Sequence, residues 1–560
     1  MVNWKSKKTG DLLLFANGLV FVMLVNLLSS LFFFRLDLTE EKRYSIKKPT
    51  QDILNQLDDD VYMEVYLDGE LNAPFRRFQK SIRETLEEFR IYTNNKIHYT
   101  FIDPSLAKSQ KAQSEFMSEL ASKGIQPTNV IGNKDGQRIE KIVFPGVLIS
   151  YSGLESGVML LKGSSASSSE EKINQSIEGI EFELANALYK MVNTDPKRIG
   201  LLTGHGELSN LEVAAFTSAL AEVYDVAPVS LQDDHLDRFA ALLIAKPKTT
   251  FSPLDKYQLD QFIMRGGRVM FLLDKLDASM DSASREDYFA FPYNLGLDDL
   301  LYKYGVRINV DLIQDRNSAM YPVITGEVGG KPQMQLMPWP YFPLINRYAD
   351  HPITRNLDAV TTKFVSSIDS VKAPGIKKTP LLFTSEVSRT LVAPVKVSIN
   401  ELRRTVKESD FASPFIPVGY LLEGKFSSLF KNRFLPEGAA SSTFREAGVD
   451  SKIIVFADGD LAANVVNPRS GQPQAMGFDP FVKYTFANKD LLMNAVAYLT
   501  EDNGLIHTRN KEVKIRPLNK QKLTDERFIW QVVNLALPII ALIAFGVIRS
   551  ILRNRRFAKF

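Results

Sequence analysis

The sequence contains no cysteine. Disulfides, thiolate nucleophiles, Cys-ligated zinc and iron–sulfur clusters are therefore excluded together. Histidine is scarce: His98, His205, His235, His351 and His507 are scattered along the chain. A histidine-rich metal site lacks the material. An excess of charge of one sign is also missing, since Lys+Arg 68 against Asp+Glu 65 leave a net +3 over 560 residues. No basic field suggests nucleic acid as a partner. Neither the phosphate-loop pattern nor the spaced dinucleotide glycine pattern occurs, so the chain is not itself an ATPase. Its length exceeds what one core organises, and two to four domains are expected.

What is present begins at the two ends. Leu12 to Phe34 and Ile529 to Ile548 are apolar runs without a charged residue. Helices of such length reach about 30–35 Å, enough to cross the hydrocarbon core of a bilayer. The first run is longer than a signal-peptide core, and SSLFFFRLD offers no small-x-small cleavage site, which favours a retained anchor. Short basic tails flank both runs: Lys5, Lys7 and Lys8 at one end, Arg549, Arg553, Arg555, Arg556 and Lys559 at the other. Arg35, Lys42, Arg43, Lys47 and Lys48 follow the first run, so the charge count decides nothing there; it favours an inside tail at the second run, and short basic tails weigh more than a long domain. Two passes are expected, with both termini cytoplasmic and Arg35 to Phe528 outside the cytoplasm. Asn17, Asn26, Gln531 and Asn534 lie in the spans, where amides seek partners on other helices. Pro538 is expected to kink the second span, which neighbouring helices tolerate.

The body opens with a helix after Tyr44, with Ser45 or Thr50 as candidate caps. Val61 to Leu67 and Lys96 to Ile102 read as strands around a helix with apolar spacing at Phe75, Phe78, Ile82, Leu86 and Phe89. A polar helix near Ser109 to Lys123 follows. Ile139 to Phe144 and Val147 to Tyr151 then read as a hairpin turning at Pro145-Gly146. This order resembles a thioredoxin-like fold, in which Pro127 would be the cis proline; another α/β sandwich meets the same pattern. Asp68-Gly69-Glu70 stands where such folds carry redox cysteines, so a scaffold or binding module is implied, not an oxidoreductase.

Lys162 to Glu171 is a Ser-rich linker, and Lys172 to Val192 a helix. Arg198 to Leu202, Val226 to Val229, Ala240 to Ala245 and Arg268 to Leu273 are strands separated by helices at Leu208 to Val223 and Ser252 to Arg265. Ser252-Pro253 is an N-cap followed by proline. That alternation implies a parallel, doubly wound sheet. Leu297 to Tyr304 is a helix, Val306 to Asp311 a short strand, and Gly326 to Pro343 an irregular excursion. Val418 to Glu423 and Ile453 to Phe456 are further strands, and Asn488 to Leu499 is a helix. Ile506 to Ile515 extends toward the second span.

Two short motifs follow strands, where α/β folds place ligands. In Gly204-His205-Gly206-Glu207 the glycines could admit an anion, and His205 with Glu207 could do acid–base work. The plainer reading is a turn, with Glu207 favouring a helix start. Asp458 and Asp460 in Ala457-Asp458-Gly459-Asp460 could hold magnesium; more often such residues cap a helix or close a turn. No nucleophile accompanies either motif. No catalytic, cofactor or metal residue is therefore assigned.

Eleven segments occur in order: LDLTEEKRYS, VYLDGE, FIDPS, GHGE, AKPKTTFSPLDKYQLDQFIMRGGRVMFLLD, LDDLLYKYGVRIN, HPITRNLD, SSID, LLEGKFSSLFKNR, ADGD and NKDLLMNAVAYL. Together they resemble the gliding-motility-associated ABC transporter auxiliary proteins of Bacteroidota, the GldG type. The resemblance implies a multi-span permease partner, a cytoplasmic ATPase reached through that permease, work in gliding motility and the associated secretion machinery, and an inner-membrane protein with its body in the periplasm. Other motility proteins or a second copy of the chain are further partners. The second α/β unit also resembles the class I glutamine-amidotransferase-like fold, whose catalytic cysteine this chain lacks. The resulting α/β organisation is a cytoplasmic tail (1–11), a transmembrane helix (12–34), a thioredoxin-like periplasmic domain (35–162), a linker and helix (163–197), an amidotransferase-like periplasmic domain with insertions (198–518), a juxtamembrane linker (519–528), a transmembrane helix (529–548) and a basic cytoplasmic tail (549–560). The expected role is that of a non-catalytic auxiliary subunit. A transporter-independent periplasmic adaptor is the alternative, and a hydrolase built on His205, Glu207, Asp458 and Asp460 the third reading.

Overall fold

The computed structural model describes residues 7–31, 46–104, 110–134, 137–162, 169–193, 195–232, 235–285, 288–328, 331–400, 408–500, 504–505, 508 and 525–557. Ser45 as a cap, most of the Ser-rich linker and nearly all of Ile506 to Ile515 lie outside them, as do the juxtamembrane segment up to 524 and residues 32–34 of the first apolar run. The chain divides into two compact units, Met1–Lys511 and Glu512–Phe560.

In the larger unit, a four-stranded sheet runs in the order Ile97–Phe101, Val61–Val65, Gly146–Tyr151, Leu154–Met159. Its first two strands are parallel, joined by the helix Ala73–Tyr92; the other pairings are antiparallel. The helix forms because Asn72 caps it, accepting from the Phe75 amide, and because Phe78, Ile82, Leu86 and Phe89 fall on one buried face. The expected hairpin at Pro145-Gly146 is corrected. Val143 and the residues before it pair instead with Thr128–Lys134, and Gly146–Tyr151 pairs with Leu154–Met159. The turn is Ser152-Gly153, both at positive φ, as a two-residue hairpin requires. Gly146 serves packing: a Cβ there would meet the Ile125 side chain at 2.6 Å. The peptide before Pro127 is trans, against expectation; the cis peptide among the described residues is Ala393-Pro394.

The N-terminal helix of this body, Lys48–Leu54, has no side-chain cap of its own. The Thr50 hydroxyl donates to Glu181 Oε1 at 3.0 Å, and the Lys47 amide donates to the same oxygen at 2.8 Å. Glu181 sits on the long helix Ser169–Val192. A carboxylate from another helix therefore does the capping that sequence assigned to Thr50.

An eight-stranded sheet follows, in the order Arg347–Tyr348, Ile376–Phe383, Pro417–Ser427, Ala447–Phe456, Arg268–Leu272, Ala241–Ala245, Arg198–Leu202, Asp225–Val229. The last five are mutually parallel and the first three antiparallel. The expected all-parallel sheet is thus a mixed one. Ala241–Ala245, Val269–Leu272 and Ile453–Phe456 are almost wholly buried, which is why they read as unbroken apolar runs. Helix Pro253–Met264 has the full capping box, with Ser252 accepting from the Asp255 amide and Asp255 from the Ser252 amide. The helix expected over Leu208 to Val223 is shorter, Ala214–Ala221. Gly326 to Pro343, read as irregular, belongs to a long hairpin of Ser318–Val328 and Lys331–Ile345. Its prolines and two register shifts hid the strands. One continuous core runs from Ile46 to Leu505 and includes residues of both sheets, so the two layers share their interior.

At the N-terminal end of the same unit is the helix Lys7–Leu31, whose apolar stretch is Leu13–Leu27. Among the described residues of the second unit is the helix Arg527–Phe557, which runs on through Pro538. Of the described helices, it alone is long and apolar enough to cross a membrane, over Arg527–Arg555.

Candidate functional site

Neighbouring parallel strands release their side chains together at the carboxyl edge of the large sheet. Ala241–Ala245 is followed by Lys246, Arg268–Leu272 by Leu273 and Asp274, and Ala447–Phe456 by Ala457 and Asp458. Lys246 takes a left-handed backbone (φ 56°), and its amide donates to Leu272 O, which turns the side chain in among the carboxylates. Its Nζ lies 3.1 Å from Asp274 Oδ2 and 2.6 Å from Asp460 Oδ2. Asp274 Oδ1 accepts from the Gly459 amide at 2.6 Å. Asp458 accepts from the amides of Asp460 and Lys363, at 2.7 and 2.8 Å. Gly459 is required by the close approach, because a Cβ would meet Lys246 Cγ at 2.6 Å.

The electrostatics follow from burial and from one ammonium among three carboxylates. Burial pushes Asp274 up to about 6, with Lys246 holding it back. Burial and the charges of Asp460 and Asp274 push Asp458 well above the ordinary carboxylate range. Burial also acts to raise Asp460, but Lys246 outweighs it and the group stays low. Lys246 is desolvated, yet Asp460 and Asp274 hold its proton more tightly than usual. Ligand oxygens of Asp274, Asp458 and Asp460 lie within 4.8 Å of one another, close enough for one divalent cation. The Lys246 ammonium already occupies that role: a metal would have to displace a buried, doubly paired cation.

The Gly204–Glu207 loop sits at the end of Arg198–Leu202, as expected. Gly204 and Gly206 have φ of +117° and +71°, so the loop needs both glycines. His205 stacks flat on Phe251, with ring centroids 3.8 Å apart, and its Nε2 is 3.4 Å from Asp255 Oδ2. Glu207 does not open a helix; its Oε2 accepts from the His205 amide at 2.8 Å, and its Oε1 faces His205 Nδ1 at 3.5 Å. The His205 carbonyl accepts from the amides of Lys248 and Thr249. His205 is thus turned toward the cap of helix Pro253–Met264, where Asp255 is its side-chain hydrogen-bond partner; Nδ1 and Glu207 Oε1 face each other without a hydrogen bond. No hydroxyl of serine or threonine is paired with it among the described residues.

Sequence reading found Asp458 and Asp460 but not Lys246 and Asp274. The signal was available: each is the first or second residue beyond a buried parallel strand, in AALLIAK and RVMFLLD. In the smaller sheet, Asp68 accepts from Gln79 Nε2 at 2.8 Å, so the position of the absent thiols is an ordinary helix approach. Asn17 and Asn26 are exposed on the first apolar helix, and Gln531 and Asn534 on the C-terminal one.

Comparison with known proteins adds the following. An uncharacterized protein of Borreliella burgdorferi is 23% identical over 548 residues, covering 95% of each chain. Among solved structures, an IFT52 N-terminal domain matches at 12% identity with a TM-score of 0.32, over 55% of this chain and 99% of its own. A ThuA-like protein from Parabacteroides merdae matches at 11% identity with a TM-score of 0.24, over 58% of this chain and 93% of its own. Both scores are too low to carry an argument. Residues 40–150 match a domain of unknown function, DUF7088. Residues 196–495 match the family model described as an ABC-type uncharacterized transport system, which spans more than half of the chain, including the whole carboxyl-edge cluster. The chain therefore belongs to this family of auxiliary components of ABC-type transport systems.

Proposed function

We propose that the protein is a non-catalytic, membrane-anchored subunit that acts on its transporter by protein–protein contact with the permease. The observation that carries this reading is Lys246. At the edge where α/β enzymes bind substrate, this chain closes its carboxylates around its own ammonium. His205, the nearest acid–base candidate, is stacked and turned to a helix cap. Motif order supports the finer assignment to the GldG type, and with it gliding motility and the associated secretion. The strand order of the smaller sheet supports a thioredoxin-like scaffold without redox chemistry. The run of parallel strands supports an amidotransferase-like scaffold without its nucleophile. The apolar helices at the two ends support a two-pass anchor with the body in the periplasm and both tails inside.

Affinity purification of the full chain in mild detergent tests the reading. Recovery of a permease together with an ATPase is the expected result. Recovery of the chain without a permease would favour a transporter-independent adaptor. Hydrolytic turnover lost in Asp460→Asn would overturn the non-catalytic reading.

A further inference from the structure

We infer that the hollow at the opposite, amino edge of the parallel strands binds a phosphate-bearing ligand. Three neighbouring strands start there. In their register, Arg198 and Arg268 flank Ala240 and Ala241: the Ala240 amide donates to Arg198 O, and Arg268 pairs with Ala241. With only the Ala240 methyl group between the two longer side chains, a cleft of about 460 Å³ is left. Its charge is one-sided. Among the described residues, Lys197, Arg198, Arg238, Arg265 and Arg268 line it with one carboxylate, Asp237. Asp225 adds a second anion by pairing with Arg198 at 3.0 Å.

Some of these cations have work already. Arg198 also lies over the Phe239 ring, and Lys197 donates to the Thr500 carbonyl. Arg238 and Arg265 do not: both are exposed, and neither makes a side-chain hydrogen bond or ion pair among the described residues. Arg265 and Arg268 bracket Gly266-Gly267. Gly266 has φ +96°, and a Cβ on Gly267 would meet the Phe262 ring at 2.4 Å, so the turn that presents both arginines is fixed. A concave site of one sign concentrates counter-charge. Guanidinium groups converging from separate elements match the several oxygens of a phosphate better than the two of a carboxylate. The ligand is therefore a phosphate ester, either a soluble one or the headgroup of an anionic lipid. This does not rest on the transporter reading.

The test uses the full chain in an uncharged detergent, titrated calorimetrically with inorganic pyrophosphate and with dioctanoyl phosphatidylglycerol, and with dioctanoyl phosphatidylcholine as control. Binding of at least one of the first two is expected, without binding of the control. R238Q/R265Q should weaken it at least tenfold with an unchanged melting temperature. The single variants should each weaken it severalfold, and R238K/R265K should restore part of it. Pyrophosphate alone would assign a soluble phosphate ester; phosphatidylglycerol, with or without pyrophosphate, would assign the headgroup. Wild-type protein that binds neither, or arginine variants that bind as tightly as wild type, would overturn the inference.

Discussion

Lys246 shows how one residue can settle what a cluster of acids does. Replacing it with methionine leaves the buried Asp274 and Asp458 facing the partly buried Asp460, which is expected to cost about 3–5 kcal/mol at pH 7.5. The carboxylates can then relieve their repulsion only by binding protons, so the deficit should shrink as the pH falls toward 5. Denaturant titrations of wild type and Lys246→Met across that range check this. A deficit independent of pH would mean that the ammonium is not the neutralising group. In the wild type the signs oppose each other. Asp274 has a folded pKa of about 6, above its unfolded value, so it favours the folded state as the pH drops through that window. Asp460 is held low, so its contribution is present at neutral pH and is lost on further acidification.

Elements that announce themselves by a local signal were legible in the sequence, and Ser252 is the clearest case. The N-cap it predicts is present, as part of a capping box with Asp255, and Ser252→Ala should cost about 1 kcal/mol while Ser252→Asp should cost little, by thermal unfolding. Equal loss in both variants would show that the hydroxyl is not acting as a cap. The parallel strands were legible because burial on both faces makes them continuous apolar runs. Pro145-Gly146 misled because a turn signal and a packing requirement use the same residue; what Gly146 avoids is Ile125, far off in sequence. The hairpin Ser318–Ile345 was illegible because its prolines and register shifts look like loop. The Lys246 cluster was half legible: its carboxylates follow one strand, while its cation comes from a neighbour known only through the sheet order.

At the scale of the whole molecule, the question is how the α/β body meets a transporter. Cysteines introduced singly report cleanly on topology, because the background has none. Ser470 is exposed on the body, and Ser470→Cys is expected to react with a membrane-impermeant thiol reagent in intact spheroplasts. Reaction only after lysis would reverse the proposed orientation. Gln531 and Asn534 lie three residues apart, near one another on the helix surface, with Pro538 a turn beyond. Paired amides in lipid contribute on the order of 0.5–2 kcal/mol each. On the proposed reading, replacing both with leucine should preserve insertion and weaken recovery of a permease. Full recovery of the permease by the double variant would move the docking surface to the body or to the first apolar helix.

The order of strands in the large sheet also sets a clock. Val269 pairs with Leu242 on one side and with Ile453 on the other. The first partner is made before it; the second is made only after the long hairpin and all the antiparallel strands have been synthesised. At about 5–20 residues per second, the apolar strand Arg268–Leu272 waits roughly ten to forty seconds with one side open. Nascent chains halted before Ala447 should therefore be sticky and protease-sensitive, whereas chains extended past Phe456 should not. The molecule is most exposed to aggregation while it is still being made, and any factor that shields it must act within that interval.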